Sequence, residues 1–243
     1  MLKASNNLIK DLKKQKRENE FLLFLDNFKI IKDALEGGLK PKYIFLEDEK
    51  DNIFSDYGCP VYKVDRNMIE QLSDSKTPQG VVCIVDYIPH VVERPQTNFL
   101  VLDRLQDPGN VGTLIRTACA AGFKYVYLVD SVKPTNSKLI RSTVGTIFNC
   151  NVISITSSEF VSYAKEWDLT LLVADMDGEN IFTFQTDKQV GLIVGNEGQG
   201  VSSTLTSMCA HKVMIPMEKG VESLNAGVSG AIIMYQIAKN NFM

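Results

Sequence analysis

Apolar residues along this chain fall into short, near-continuous runs, separated by stretches where they recur at helical spacing. Runs of that length are the mark of strands buried on both faces, and the intervening stretches predict the helices that cover them. In the first part Ser5 can cap a helix that runs to about Glu20, and "FLLFL" follows as a buried strand. "NFKIIKDALEGG" predicts a helix with Ile30, Ile31, Ala34 and Leu35 turned inward, stopped by Gly37 and Gly38. "PKYIFLED", "VYKVD" and "GVVCIVDY" read as further strands, with a short helix at "RNMIEQLSD". These elements make a small α/β unit over residues 1–87. Residues 88–98, "IPHVVERPQTN", carry two prolines and no helical period, which fits a linker.

From Phe99 to residue 243 the alternation restarts. Strands are expected at "FLVLDRL", "KYVYLVD", "NVISI", "LTLLVAD", "VGLIVGN" and "KVMIPM", with helices between most of them. The pattern implies a parallel sheet with helices on both faces, an α/β fold. The last helix, about Asn225 to Lys239, is apolar nearly all round. It belongs either in the core or against a second subunit.

Composition narrows this only a little. With 243 residues, 44% apolar and 23% charged, the chain is an ordinary globular protein of one large or two modest domains. A net charge of −3 pulls against nucleic-acid binding, yet Lys3, Lys10, Lys13, Lys14, Lys16 and Arg17 crowd the first 17 positions. That run reads equally as a solvated helix face or as a basic patch for a polyanion. Cys59, Cys83, Cys119, Cys150 and Cys209 are widely spaced, and His90 and His211 lack partners at metal-ligand spacing. Reduced thiols and no metal site are therefore expected. No apolar run reaches membrane-spanning length and no signal-peptide core stands at the N-terminus, so a cytoplasmic location is expected.

Three segments could carry chemistry, each where a strand of the parallel sheet ends. In "LDRLQDPGNVGTLIRTACAAGF" a tight turn at Asp107–Asn110 precedes a helix that Asn110 is positioned to cap. Val111, Leu114, Ile115, Ala118 and Cys119 form its packing face, and Arg116 lies on a second stripe of small residues. Such an arginine can hold a phosphate or ribose, although alone it reads as a surface residue. "VGLIVGNEGQGV" has a glycine-rich turn spaced G-x-x-G-x-G, which meets neither the dinucleotide fingerprint nor the P-loop. Glu197 sits inside that turn with no evident structural task. In "VMIPMEKGVESLNAGVSGAIIMY" Ser223 could be an N-cap or a functional hydroxyl.

Taken together and in this order, the three segments resemble the motifs of the SpoU/TrmH-type RNA 2′-O-ribose methyltransferases of the SPOUT superfamily. "NSKLIRSTVGTIFN" resembles the segment between the first and second motifs, and the likeness covers about residues 99–240. The N-terminal unit is similar to the RNA substrate-binding domain that many rRNA-directed members carry, although Asp26-Asn27 stands where the family often has an acidic-glycine pair.

The resemblance implies a C-terminal sheet threaded into a trefoil knot that binds S-adenosylmethionine, an exception to un-knotted topology that no pattern could foretell. It places Gly195, Asn196, Ile215, Met217 and Leu224 in the cofactor pocket. It gives Arg116, Asn110, Glu197, Ser223 and Asn225 to the reacting end, and it implies a homodimer through the last helix, with no metal. Structured RNA would meet Lys13, Lys14 and Arg17, and Lys138 and Arg141 beside Lys133. Ribosomal RNA is the expected substrate. A tRNA substrate and a non-catalytic RNA-binding or ribosome-assembly factor on the same fold are the alternatives. An unrelated nucleotide-binding α/β enzyme stands further off.

Overall fold

A computed structural model describes residues 1–48, 54 and 57–239. The chain forms two compact units, Met1–Ile88 and Pro89–Met243.

The first unit runs β1 (Leu2–Lys3), α1 (Asn6–Glu18), β2 (Leu22–Leu25), α2 (Phe28–Glu36), β3 (Pro41–Leu46), β4 (Val61–Lys63), α3 (Arg66–Leu72) and β5 (Val81–Asp86). Its sheet, ordered β1-β4-β3-β5-β2, is mixed. The β1, β4 and β3 strands are parallel, whereas β5 runs antiparallel to both β3 and β2. The Ser5 hydroxyl accepts from the Leu8 amide, and Asn27 caps α2 by accepting from Ile30. Ile30, Ile31, Ala34 and Leu35 are buried, and the left-handed Gly38 follows the end of α2.

The basic run on α1 does not form one uniform face. Lys13 reaches Gln71 on α3 at 3.4 Å, and Lys16 bonds the Leu72 carbonyl at 2.6 Å and the Asp74 carboxylate at 2.8 Å. Lys14 sits 4.0 Å from Glu18, and Arg17 is exposed. Lys13 and Lys16 are three apart, hence neighbours on the side of α1 that faces α3.

The second unit runs β6 (Phe99–Asp103), α4 (Pro108–Ala120), β7 (Tyr125–Val129), α5 (Ser137–Thr143), β8 (Asn151–Ile155), α6 (Ser157–Glu166), β9 (Leu171–Asn180), β10 (Gly191–Gly195), α7 (Ser203–Thr206), β11 (His211–Met214) and α8 (Ala226–Ala238). The six strands pair in the order β11-β9-β10-β6-β7-β8, every pairing parallel. Alternate residues serve the two faces. Phe99, Val101, Tyr127 and Ile193 pack with Phe160 of α6 and Leu205 of α7, while Val194 on the other face lies near α8.

Three sequence expectations change here. The strand expected to stop at Asp175 continues to Asn180, because β9 pairs with β11 in two stretches separated by a register shift between Lys212 and Val213. Asp107, not Asn110, is the N-cap of α4: its carboxylate accepts from the Asn110 amide at 2.8 Å. Pro108 at the first helical position fixes that start, since its ring presets the helical φ and its missing N–H is no loss there. Finally, Cys119 and Cys150 are joined as a disulfide, with Cα atoms 6.4 Å apart, while Cys59, Cys83 and Cys209 are free. Folding brings the end of α4 to the start of β8, which spacing along the chain does not reveal. Among the described residues, no helix is long and apolar enough to cross a membrane.

The contacts of Asp26 explain why an acidic residue follows β2. It is 4% exposed, and its Oδ2 accepts from the Ser73 hydroxyl at 2.6 Å and from the amides of Asp74 and Ser75 at 3.1 and 3.0 Å. Removing a buried acceptor strands its donors, at a cost of about 2–3 kcal/mol. Asp26→Ala should lower the urea-unfolding midpoint by the equivalent of that free energy, with Asp26→Asn recovering part of it. An unchanged midpoint would mean that water replaces the carboxylate.

Candidate functional site

In a parallel sheet, ligands gather beyond the carboxyl ends of the strands where the strand order reverses. That point lies between β6 and β10. From β6 the chain steps outward through β7 and β8, then crosses to β9 and returns as β10 beside β6, with Gly195 opposite Asp103. The Asp107 turn leaves this edge from β6, the glycine-rich loop from β10, and the 215–225 segment from β11.

One chain of hydrogen bonds joins all three segments. Asn225 caps α8, its Oδ1 accepting from the amides of Gly227 at 2.9 Å and Val228 at 3.3 Å. Its Nδ2 is thereby turned outward and donates to Asn110 Oδ1 at 2.9 Å. Asn110 must then present its own Nδ2 to the far side, where it donates to Glu197 Oε1 at 2.7 Å. Because Asp107 does the capping of α4, the Asn110 side chain is free for this bridge. Sequence reasoning missed Asp107, although the proline at 108 signals it.

The loop that carries Glu197 is tied within itself. Asn196 Oδ1 accepts from the amides of Gly198 at 3.0 Å and Gln199 at 3.2 Å, and its carbonyl accepts from Gly200 at 2.8 Å. A Cβ on Gly195 would collide with the backbone of Gly200 and Val201, so only glycine lets the loop fold back on its strand. Asn196 thus has a structural task beside any ligand contact.

Arg116 lies six residues beyond Asn110 on α4, roughly 9 Å along the axis. It is exposed and makes no hydrogen bond or ion pair with the described residues. Thr113 lies between the two on the helix, and α8 approaches it closely: a Cβ at Gly227 would stand 3.3 Å from Thr113 Cβ, and one at Gly230 would run into Leu114. The glycine after Asn225-Ala226 therefore fits α8 against α4. Its cost in helix propensity is roughly 1 kcal/mol.

The other expected residues are placed as follows. Ile215 and Leu224 are half-buried and Met217 is exposed, all on the segment from β11 to α8. Ser223 lies exposed in that segment and caps nothing, since the cap is Asn225. Lys138 is exposed and Arg141 half-buried on α5. The described residues hold no cluster of three or more His, Cys, Asp or Glu arranged for a metal ion. Nor is any free thiol activated: burial pushes Cys209 up to about 12, and raises Cys59 and Cys83 as well.

Comparison with known proteins gives two family matches. The SpoU rRNA Methylase family matches residues 97–235, and the MRM3-like substrate binding domain matches residues 6–83. The 23S rRNA (guanosine(2553)-2'-O)-methyltransferase RlmP of Bacillus subtilis (strain 168) is 30% identical over 96% of this chain and 97% of its own length. The AdoMet-bound rRNA methyltransferase from Sinorhizobium meliloti superposes with a TM-score of 0.85 at 24% identity, covering 100% of this chain and 98% of that one. The SpoU methyltransferase AviRb from Streptomyces viridochromogenes, in complex with AdoMet, superposes with a TM-score of 0.83 at 21% identity, covering 98% and 99%. At these identities the superpositions establish a shared fold.

Two substitutions at Asn225 separate its two jobs. Asn225→Ala removes the cap and should lower the thermal midpoint by the equivalent of about 1 kcal/mol. Asn225→Asp still accepts from Gly227 and Val228 but cannot donate to Asn110, so it should hold the midpoint while releasing Asn110 from its fixed orientation. Side-chain amide NMR of Asn110 reads this directly, and an unshifted Asn110 signal in the aspartate variant would refute the relay.

Proposed function

The chain belongs to the SpoU rRNA Methylase family, and on that premise we propose that it methylates a ribose 2′-hydroxyl of RNA with S-adenosylmethionine as donor. The observation that carries this reading is the bonded chain Glu197–Asn110–Asn225, which draws the three segments together at the switch point beside an uncommitted arginine. The likeness of nearly the whole chain to a 23S rRNA enzyme supports ribosomal RNA over tRNA as the substrate. The substrate-binding-domain match at residues 6–83 supports an RNA-holding role for the first unit.

The residues at this edge suit the donor. Ile215, Met217 and Leu224 leave apolar surface uncovered, which an adenine ring can occupy, and Gly195 and Asn196 stand at the start of the adjoining loop. A trefoil knot in the C-terminal part of the chain would build this pocket. S-adenosylmethionine supplies an electrophilic methyl on a sulfonium, which the 2′-oxygen takes in line as S-adenosylhomocysteine departs and the hydroxyl proton passes to solvent water.

What the protein adds is alignment, exclusion of water and charge stabilisation. Arg116 is a poor base, because a guanidinium keeps its proton below a pH of about 12. It orients the 2′-oxygen or the adjacent phosphate and stabilises the negative charge that grows on that oxygen. Asn110, Glu197 and Asn225 hold the surrounding loops in register, and Ser223 stands exposed beside them. No residue of this reaction needs a metal partner.

Lys14, Arg17, Lys138 and Arg141 offer charges to RNA phosphates, with Lys13 contributing where it is not held by Gln71. The outward residues of α8, Val228 and Tyr235, are each 47% exposed, which supports a homodimer through this helix. We place the enzyme in the cytoplasm with its RNA.

Arg116→Ala should lower kcat by a factor on the order of 100 or more, with the calorimetric affinity for S-adenosylmethionine nearly unchanged. Normal turnover would remove Arg116 from the mechanism. Labelled S-adenosylmethionine, incubated with ribosomal subunits and total RNA from a strain lacking the gene, should mark a large rRNA. Label confined to tRNA would change the substrate, and no label in any RNA would favour a non-catalytic RNA-binding factor.

A further inference from the structure

Arg104 breaks a local rule without an obvious need. It directly follows β6 and has φ +59°, in the left-handed region that side chains with a Cβ avoid at a cost of roughly 1–2 kcal/mol. A glycine at this position would remove the strain.

The Arg104 amide donates to the Val129 carbonyl at the end of β7 at 2.9 Å, and its carbonyl and both terminal guanidinium nitrogens are turned to the loop between β10 and α7. Its carbonyl accepts from Asn196 Nδ2 at 3.1 Å. Its guanidinium forks across the loop tip, Nη1 donating to Gln199 Oε1 at 3.0 Å and Nη2 to the Gly200 carbonyl at 3.2 Å. Its Nε lies 3.5 Å from the carboxylate of Asp103, which is 1% exposed and accepts from the Ser202 amide at 2.6 Å. Asp103 and Arg104 therefore grip the loop at its start, tip and end. Glu197, the residue that meets Asn110, lies within that grip.

We propose that Arg104 is a positioning residue, held in a strained conformation because only from there does its guanidinium clamp the 196–200 loop in the shape that receives the methyl donor. The donor's part in this rests on the methyltransferase reading above. The clamp is made of two donors at fixed separation, a task for the planar guanidinium rather than for a lysine ammonium.

The test compares Arg104→Gly and Arg104→Lys with the unaltered protein by thermal unfolding, hydrogen exchange and steady-state kinetics. Arg104→Gly relieves the strain and removes the clamp. Its thermal midpoint should be equal or higher, while the amides of Gly198, Gln199 and Gly200 exchange faster and KM for S-adenosylmethionine rises, each about tenfold, with KM for RNA unchanged. Arg104→Lys keeps the charge and the strain but not the fork, so it should also loosen the loop and raise that KM, at a lower midpoint than the glycine variant. Unchanged exchange and KM in Arg104→Gly overturn the proposal. So does a fall in midpoint with unchanged KM, which would mark a purely structural residue. Should the unaltered protein neither bind nor use S-adenosylmethionine, the methyltransferase reading fails by itself and loop exchange alone decides the role of Arg104.

Discussion

An asparagine amide has one accepting end and one donating end, and at Asn225 the first N–H groups of α8 claim the accepting end. Everything at the candidate site follows from that polarity. The donating end faces Asn110, so Asn110 must offer its oxygen there and its nitrogen to Glu197. No member of the chain can flip without losing a bond or setting two oxygens against each other. The amide of a helix cap thus determines the direction of a contact on the far side of another helix. Two packing conditions make this possible: α8 lies against α4 because Gly227 and Gly230 have no side chains, and β10 lies beside β6 in direct register.

Much of the architecture could be read from the chain. The apolar runs that became β6, β7 and β10 are buried along almost their whole length, as strands covered on both faces must be. What the pattern misplaced were ends and directions. Asp107 and Asn110 are both competent caps for α4, and the proline between them settles the matter, yet the glycine and asparagine after it draw attention to the wrong residue. Ser223 and Asn225 pose the same choice before α8. The extension of β9 to Asn180 depends on a neighbour, β11, that lies 30 or so residues away, and polar residues such as Asp175, Asp177 and Glu179 hide it from any hydrophobic period. The Cys119–Cys150 contact is likewise tertiary.

The site residues divide the same way. Glu197 drew notice because a carboxylate in a glycine-rich turn had no local role, and its partner proves to lie 87 positions away. Arg104 drew none, since an arginine after a strand is unremarkable until its φ is known. A strained residue becomes informative only when the contacts that maintain it are visible. At Arg104 the amide ties the residue to Val129, while the carbonyl and the two terminal guanidinium nitrogens lead to one loop.

The bonds that organise this edge are largely open to solvent, and an exposed hydrogen bond contributes only about 0.5–1.5 kcal/mol. Stability is therefore a weak reason for so many of them to converge here. Their effect is to narrow the arrangements available to three loops before any ligand arrives, which reduces the ordering that binding must still achieve. Once a ligand covers this edge, water leaves, the local dielectric falls, and the same bonds strengthen. In the reaction proposed, the site would be loosest when empty and most rigid with methyl donor and ribose both in place.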